Sequence, residues 1–236
     1  MTVRKVLGRP FILATREGVL QRNPVAAVRH LRGEKAEKGV FTPEQITRLL
    51  RAAVGDWRGL ILAGYYAGAR LSDLARLRWR AIDLAERSIT FKQKKTDTKI
   101  KIPIHSELLD YLLSRSVPDD ETKPLFPSLH HKPGTGRNGL SMSFKRIMVA
   151  AGIEDGTARE RPGAKGHRVS RLSFHSLRHS FTSALANAGV SAELRQRLTG
   201  HSDSRSLQLY THHEFEVIRE AIETLGRLPK EQETSK

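Results

Sequence analysis

The chain contains no cysteine, only 6 % aromatic residues, and few acids for its bases: 25 Asp+Glu against 41 Lys+Arg. Without cysteine there are no disulfides, no thiolate nucleophile and no Cys-ligated zinc site. The scarce aromatics do not interleave with basic residues, which argues against a protein that stacks single-stranded bases. No apolar run approaches the ~20 residues of a membrane span, and no stretch has the charged, apolar, small-residue order of a secretory signal. Neither a G-x-x-x-x-G-K-[ST] loop nor an H-E-x-x-H pair occurs, so neither a nucleotide cradle nor a zinc-protease helix is expected.

What is abundant is positive charge. The formal net charge is +16 over 236 residues, with a pI near 10.6. Such a surface can serve solubility, or it can neutralise a polyanion and release its counterions. Its distribution favours the polyanion. Six basic residues (Arg159, Arg161, Lys165, Arg168, Arg171 and Arg178) fall in one short stretch with Glu160 as the only acid, and residues 92–101 hold five lysines with only Asp97. The region Glu214–Lys236 is net acidic instead. Concentrated charge of this kind is a nucleic-acid footprint, and its expected contacts are Lys92, Lys94, Lys99, Arg159, Arg161, Lys165, Arg168 and Arg171.

At roughly 100–200 residues per domain, the length fits one large domain or one domain plus a fragment. The segment Gly33–Gly39 is charged and glycine-bounded, as linkers are. Thr42-Pro43-Glu44-Gln45 combines a cap, a first-turn proline and a Gln three residues on, so a helix starts there. Trp57–Ala69 is apolar nearly all round and reads as a buried central helix, with Ser72 expected to cap the next turn. From Ser88 to Ile104 the period changes to two on both sides of Lys95-Thr96-Asp97, predicting a β-hairpin with a basic tip. Helices are expected at Glu107–Ser114, Ser141–Ala151 and His175–Ala188, and from Ser191 to about Gly200. The polar stretch Glu154–Arg171 reads as loop. Phe215, Ile218, Ile222 and Leu225 mark a last amphipathic helix, and from Pro229 the chain reads as a solvated tail. The expected fold is mainly α with a small antiparallel β-sheet (α+β).

Five local features bear on chemistry: Gly68-Ala69-Arg70-Leu71-Ser72-Asp73-Leu74, Lys95, His175-Ser176-Leu177-Arg178-His179, Leu198-Thr199-Gly200-His201-Ser202, and Tyr210-Thr211-His212. Each has an ordinary structural explanation: a surface ion pair, a solvated lysine, a basic helix face, a helix end, a half-buried tyrosine. In this order and spacing they resemble the tyrosine recombinase (phage integrase) family, and the resemblance covers about residues 41–226. It implies that Arg70, Lys95, His175, Arg178, His201 and Tyr210 are catalytic, with Asp73 and His179 supporting. The distance from Lys95 to Pro103 places the lysine role on Lys95 rather than Lys94.

The residue types suit attack on a phosphodiester. Guanidiniums hold nonbridging oxygens through bidentate bonds and stay protonated, imidazoles donate to the phosphate or move protons, and a phenol serves as nucleophile once deprotonated. A lysine on a hairpin can protonate the leaving 5′-oxygen. The resemblance further implies a 3′-phosphotyrosyl intermediate, double-stranded DNA as partner, a homo-oligomer on DNA (dimer or tetramer), no membrane, and a cytoplasmic, nucleoid-associated location. Because the phosphotyrosine retains the bond energy, no cofactor and no metal are expected. The pairs His130-His131 and His212-His213 read as surface or phosphate contacts, since adjacent side chains diverge.

By the same resemblance, residues 1–40 are a remnant of an N-terminal core-binding domain plus linker, with Phe11–Leu31 like its last helix and the Asn-Pro exit. Residues 41–226 are the catalytic domain and 227–236 a C-terminal tail. Three other functions stay open: a truncated DNA-binding relic without catalysis, a type IB topoisomerase-like relaxing enzyme, and an RNA-binding protein.

Overall fold

Local signals decide where the elements begin. The protein is seen in a computed structural model that describes residues 3–26, 28, 39–92, 99–154, 156–160, 168–199 and 212–229. The chain divides into two compact units, Met1–Lys35 and Ala36–Lys236. In the first, helix α1 (Val3–Arg16) is followed by a 3-10 turn at Pro24–Ala26. The Oδ1 of Asn23 accepts the Val25 N–H at 2.9 Å. The helix expected before the Asn-Pro exit starts earlier than Phe11, at Val3, and ends at Arg16. A residue preceding proline disfavours the α conformation, so Asn23-Pro24 begins a separate turn.

The second unit opens with α2 (Pro43–Ala52), closed at its start by the predicted capping box: Thr42 Oγ1 accepts from Gln45 N–H, and Gln45 Oε1 accepts from Thr42 N–H. Next comes α3 (Asp56–Tyr66), buried along almost its whole length. Helix α4 (Leu71–Leu74) is a single turn entered from Arg70, so Ser72 lies inside the turn and does not cap it. Strands β1 (Ile82–Asp83), β2 (Ser88–Lys92) and β3 (Lys99–Pro103) form an antiparallel sheet in that order. The hairpin register pairs Ile89 with Ile102 and Phe91 with Ile100, which puts all four on the buried face. The hairpin tip, residues 93–98, lies outside the described residues.

Helices α5 (Ser106–Leu113), α6 (Pro127–His130) and α7 (Leu140–Ala150) follow. The stretch expected to be loop contains a small antiparallel pair, β4 (Thr157–Glu160) with β5 (Arg168–Ser170). Its strands are short and polar, with an irregular register near Thr157, so no alternation betrayed them. Helix α8 (Phe174–Asn187) starts with a capping box between Ser173 and Ser176. Helix α9 (Ala192–Thr199) follows Ser191, whose hydroxyl accepts the Leu194 N–H. Helix α10 (His212–Glu223) closes the unit.

Helix α3 is the centre around which the others pack, against α2, α5 and α8. The approach of α8 is close: a Cβ on Gly64 would meet the Phe174 ring at 2.7 Å. Phe144 of α7 packs edge-on against both Phe41 and Phe174. The fold is thus mainly helical with a small antiparallel sheet. Among the described residues no helix is long and apolar enough to cross a membrane.

Helix α10 packs in cis, burying Ile218 and Ile222 in the core beside β3. A polar network that runs from buried to exposed groups fastens its far end. Tyr66 Oη donates to Glu107 Oε2 at 2.8 Å, which also accepts the Leu228 N–H at 2.8 Å. His105 stacks on Tyr66 at 3.8 Å, and its Nε2 faces Glu223 Oε2 at 3.7 Å. Glu223 also takes the Ser106 N–H, and Arg227 pairs with Asp110. Arg227 and Leu228, assigned to the tail from sequence, are therefore tied to the body, and Leu228 is buried.

Replacing Tyr66 with Phe removes a donor from a carboxylate in this network and should lower stability by about 1–3 kcal/mol, measured by urea denaturation. Burial lowers the His105 pKa from its ordinary 6.5, against the opposing pull of Glu223 and Glu107. The unfolded chain therefore takes up the proton first as pH falls. Stability present above about 6.5 is lost as pH drops through that value toward the folded pKa. His105 also caps α5, its Nδ1 accepting the Glu107 N–H at 3.1 Å. His105→Asn, which keeps an N-cap acceptor, should lose that part of the acid-side decline in denaturation midpoints between pH 7 and 5.

Candidate active site

The site grows from the turn after α3. Gly68 sits at φ +58 in the left-handed region, and a Cβ there would meet Phe181 of α8 at 2.3 Å. Only glycine allows both the turn and the contact. This brings the Gly68 carbonyl to the Arg178 guanidinium, which donates to it from Nη1 at 2.9 Å. The Nη2 of Arg178 donates to the carbonyl of Thr199, the last residue of α9. Three separate segments thus converge on one side chain, which is only 3 % exposed.

Arg70 emerges from the same turn and reaches Asp73 one helical turn on, at 3.9 Å between Nη1 and Oδ2. Asp73 is buried, whereas the Arg70 side chain is 21 % exposed. One cation is therefore fixed beneath the surface and the other opens onto it. Burial pulls the Arg178 pKa down to about 10; the charge of Arg70 adds to the fall and Asp73 opposes it. At neutral pH the Arg178 guanidinium therefore remains protonated.

His175 lies exposed on the first turn of α8, three residues before Arg178. Its ring meets that of the half-buried His179 edge-on at 4.8 Å. Arg70 and His175 line one cleft of about 550 Å³, together with Lys145 of α7 and Ser170 of β5, above apolar side chains that include Phe144 and Phe174. The cleft offers cations on its rim and an uncharged floor, a setting in which a bound anion interacts with fewer competing waters.

Of the site residues expected from sequence, the structure brings Arg70, Asp73, His175, Arg178 and His179 together. Lys94, Lys95, Arg161, Lys165, His201 and Tyr210 lie outside the described residues, as do the side chains of Arg159 and Arg168. Lys92 and Lys99 are exposed and opposed in the last rung of the β2–β3 ladder, next to the hairpin tip. Like charges in directly opposed strand positions repel. Arg171 is exposed where β5 ends. Sequence reasoning overlooked the roles of Gly68 and Thr199, which act through backbone carbonyls and so carry no side-chain signature. Their positions, two residues before Arg70 and two before His201, were the available clue.

The sequence profile of the phage integrase family matches residues 39–217, and the chain belongs to that family. It is 30 % identical over 218 residues to tyrosine recombinase XerC of Lactobacillus leichmannii, covering 86 % of this chain and 68 % of XerC. It is 26 % identical to the integrase of Escherichia phage P2, covering 85 % of this chain and 50 % of the phage protein. The chain thus spans between half and about two thirds of these relatives' lengths. In fold it is similar to lambda integrase residues 75–356, solved as a dimer bound to a COC′ core site. That match has a TM-score of 0.59 at 21 % identity and covers 89 % of this chain and 74 % of that one.

Gly68→Ala should be destabilised by about 1–3 kcal/mol, from left-handed strain and overpacking on Phe181. The midpoint of guanidinium unfolding checks this.

Proposed function

We propose that the chain is the catalytic part of a site-specific DNA recombinase that cuts and rejoins duplex DNA through Tyr210. The observation that carries this reading is the buried Arg178, clamped to Gly68 and Thr199 beside the Arg70–Asp73 pair. The clamp unites the turn before Arg70 with the residue that leads into Gly200-His201. Belonging to the phage integrase family and similarity to XerC and P2 integrase support it.

In the proposed reaction the scissile phosphate sits on Arg70 and Arg178, with His175 and His201 donating to it. The Tyr210 phenolate attacks phosphorus, the bond from phosphorus to the 5′-oxygen breaks, and Lys95 supplies the proton that the 5′-oxygen takes. The product is a 3′-phosphotyrosine and a free 5′-hydroxyl. Attack by the 5′-hydroxyl of another strand reverses the step and returns the proton, so neither ATP nor a metal is consumed. Asp73 holds Arg70 toward the phosphate and His179 buttresses His175. The fixed guanidiniums gain most in the pentacoordinate state, where negative charge on the nonbridging oxygens is greatest.

Residues 41–226 form the catalytic domain in this reading, and residues 1–40 belong to a second DNA-contacting part and its linker. Lys92, Lys94, Lys99, Arg159, Arg161, Lys165, Arg168 and Arg171 contact the backbone of the duplex. The working form is a homo-oligomer on DNA, a dimer or tetramer, in the cytoplasm and associated with the nucleoid.

The test is a nicked suicide duplex built from DNA flanking the gene, in which loss of a short 5′ fragment traps the intermediate. A covalent protein–DNA band should form, vanish in Tyr210→Phe and slow by about 10²–10³ in Arg178→Ala. Tight DNA binding without any band would point to a non-catalytic relic and overturn the proposal. Relaxation of supercoils by a monomer, without site pairing, would reassign the same chemistry to a topoisomerase.

A further inference from the structure

Beside the proposed active site lies a second, smaller depression of about 270 Å³, lined by Asp73, Arg76, Arg78, Arg80, Thr90, Phe91 and Lys92 among others. It lies where the turn after α4 and the 3-10 turn Trp79–Ala81 meet strand β2. Arg76, Arg80 and Lys92 are exposed, whereas Phe91 is buried. Arg78 is tied down by donating to the Thr122 carbonyl. Asp73 is the only acid in the lining, and it is paired with Arg70. The depression and the proposed active site therefore share Asp73 as a common wall.

We infer that this depression is a second phosphate-binding site, in which Arg76 and Arg80 hold the DNA backbone next to the phosphate under attack. The inference rests on the recombinase reading and extends it to residues outside the proposed catalytic set. Three exposed cations from three segments of chain surround one open hollow, which matches an anion that is part of a polymer. The only aromatic in the lining is buried, so there is no platform on which a base or nucleoside could stack. The ligand is thus the sugar-phosphate backbone and not a base. The opposed Lys92–Lys99 pair at the adjoining strand end adds positive charge beside the same hollow. Contacts of this kind fix register and orientation without reading sequence, so Arg76 and Arg80 are positioning residues.

The experiment measures binding of the full chain to a fluorescent duplex of arbitrary sequence across a salt series, for wild type, R76A/R80A and R76K/R80K. The alanine pair should make the plot of log affinity against log salt shallower by about two and weaken binding roughly ten-fold at low salt. The lysine pair should retain most of the slope. On the suicide duplex, the alanine pair should raise the half-saturating DNA concentration rather than lower the limiting rate of adduct formation. An unchanged slope in a folded alanine pair, checked by thermal melting, overturns the inference, as does a loss confined to the limiting rate. If the alanine pair does not fold, R76Q/R80Q is judged by the same slope. The binding measurement needs no chemistry, so absence of a Tyr210-dependent adduct in the wild type would sink the recombinase reading and leave this result separately legible.

Discussion

The structure of the site depends on one buried guanidinium. Arg178 is taken almost wholly out of water, which alone would be expensive for a charge, and two backbone carbonyls make the burial tolerable. Those carbonyls belong to the turn after α3 and to the end of α9, so a single side chain pins three parts of the fold to one another. Arg70 inherits the precision of the clamp, because it leaves the turn two residues after the Gly68 carbonyl. A lysine cannot reproduce the arrangement, because it lacks the planar fork that reaches two acceptors at once.

The surrounding helices serve this geometry. α3 is apolar nearly all round and almost wholly enclosed, and glycines at its contact with α8 and in the turn beyond it let the two helices approach until Gly68 and Arg178 meet. Charge is then distributed by depth: Arg178 and Asp73 below, Arg70 and His175 at the cleft, Arg76, Arg80 and Lys92 on the open surface. That gradient suits an elongated anion, with one phosphate bound in a low-dielectric recess and its neighbours held by groups that water still reaches.

Much of this was legible in the sequence, for identifiable reasons. The capping box at Thr42, the alternation through Ile89, Phe91, Ile100 and Ile102, and the spacing of His175 from Arg178 are local patterns with a direct physical reading, and each element appeared where it was expected. The β4–β5 pair was not legible, because short polar strands have no apolar alternation. The early end of α1 was obscured by apolar residues that continue past Arg16. The roles of Gly68 and Thr199 could not be read, since any residue offers a carbonyl and only the fold aims it. The hold on α10 was equally hidden: Tyr66, His105, Glu107 and Glu223 are far apart in the chain, and their association depends on how α3, α5 and α10 come together.

In the proposed reaction Tyr210 is the nucleophile, and the anchoring of α10 bears on its reach. Tyr210 stands two residues before His212, where that helix begins. Two residues of fully extended chain cover only about 7 Å. While Ile218, Ile222 and the Glu223 end stay seated in their own body, the phenol can work only close to home. Lending it to the active centre of a neighbouring subunit would first require prising the helix from its berth. In the recombinase reading, whether strands are severed by a subunit's own tyrosine or by a borrowed one is thus coupled to a handful of side chains on the opposite end of α10 from Tyr210.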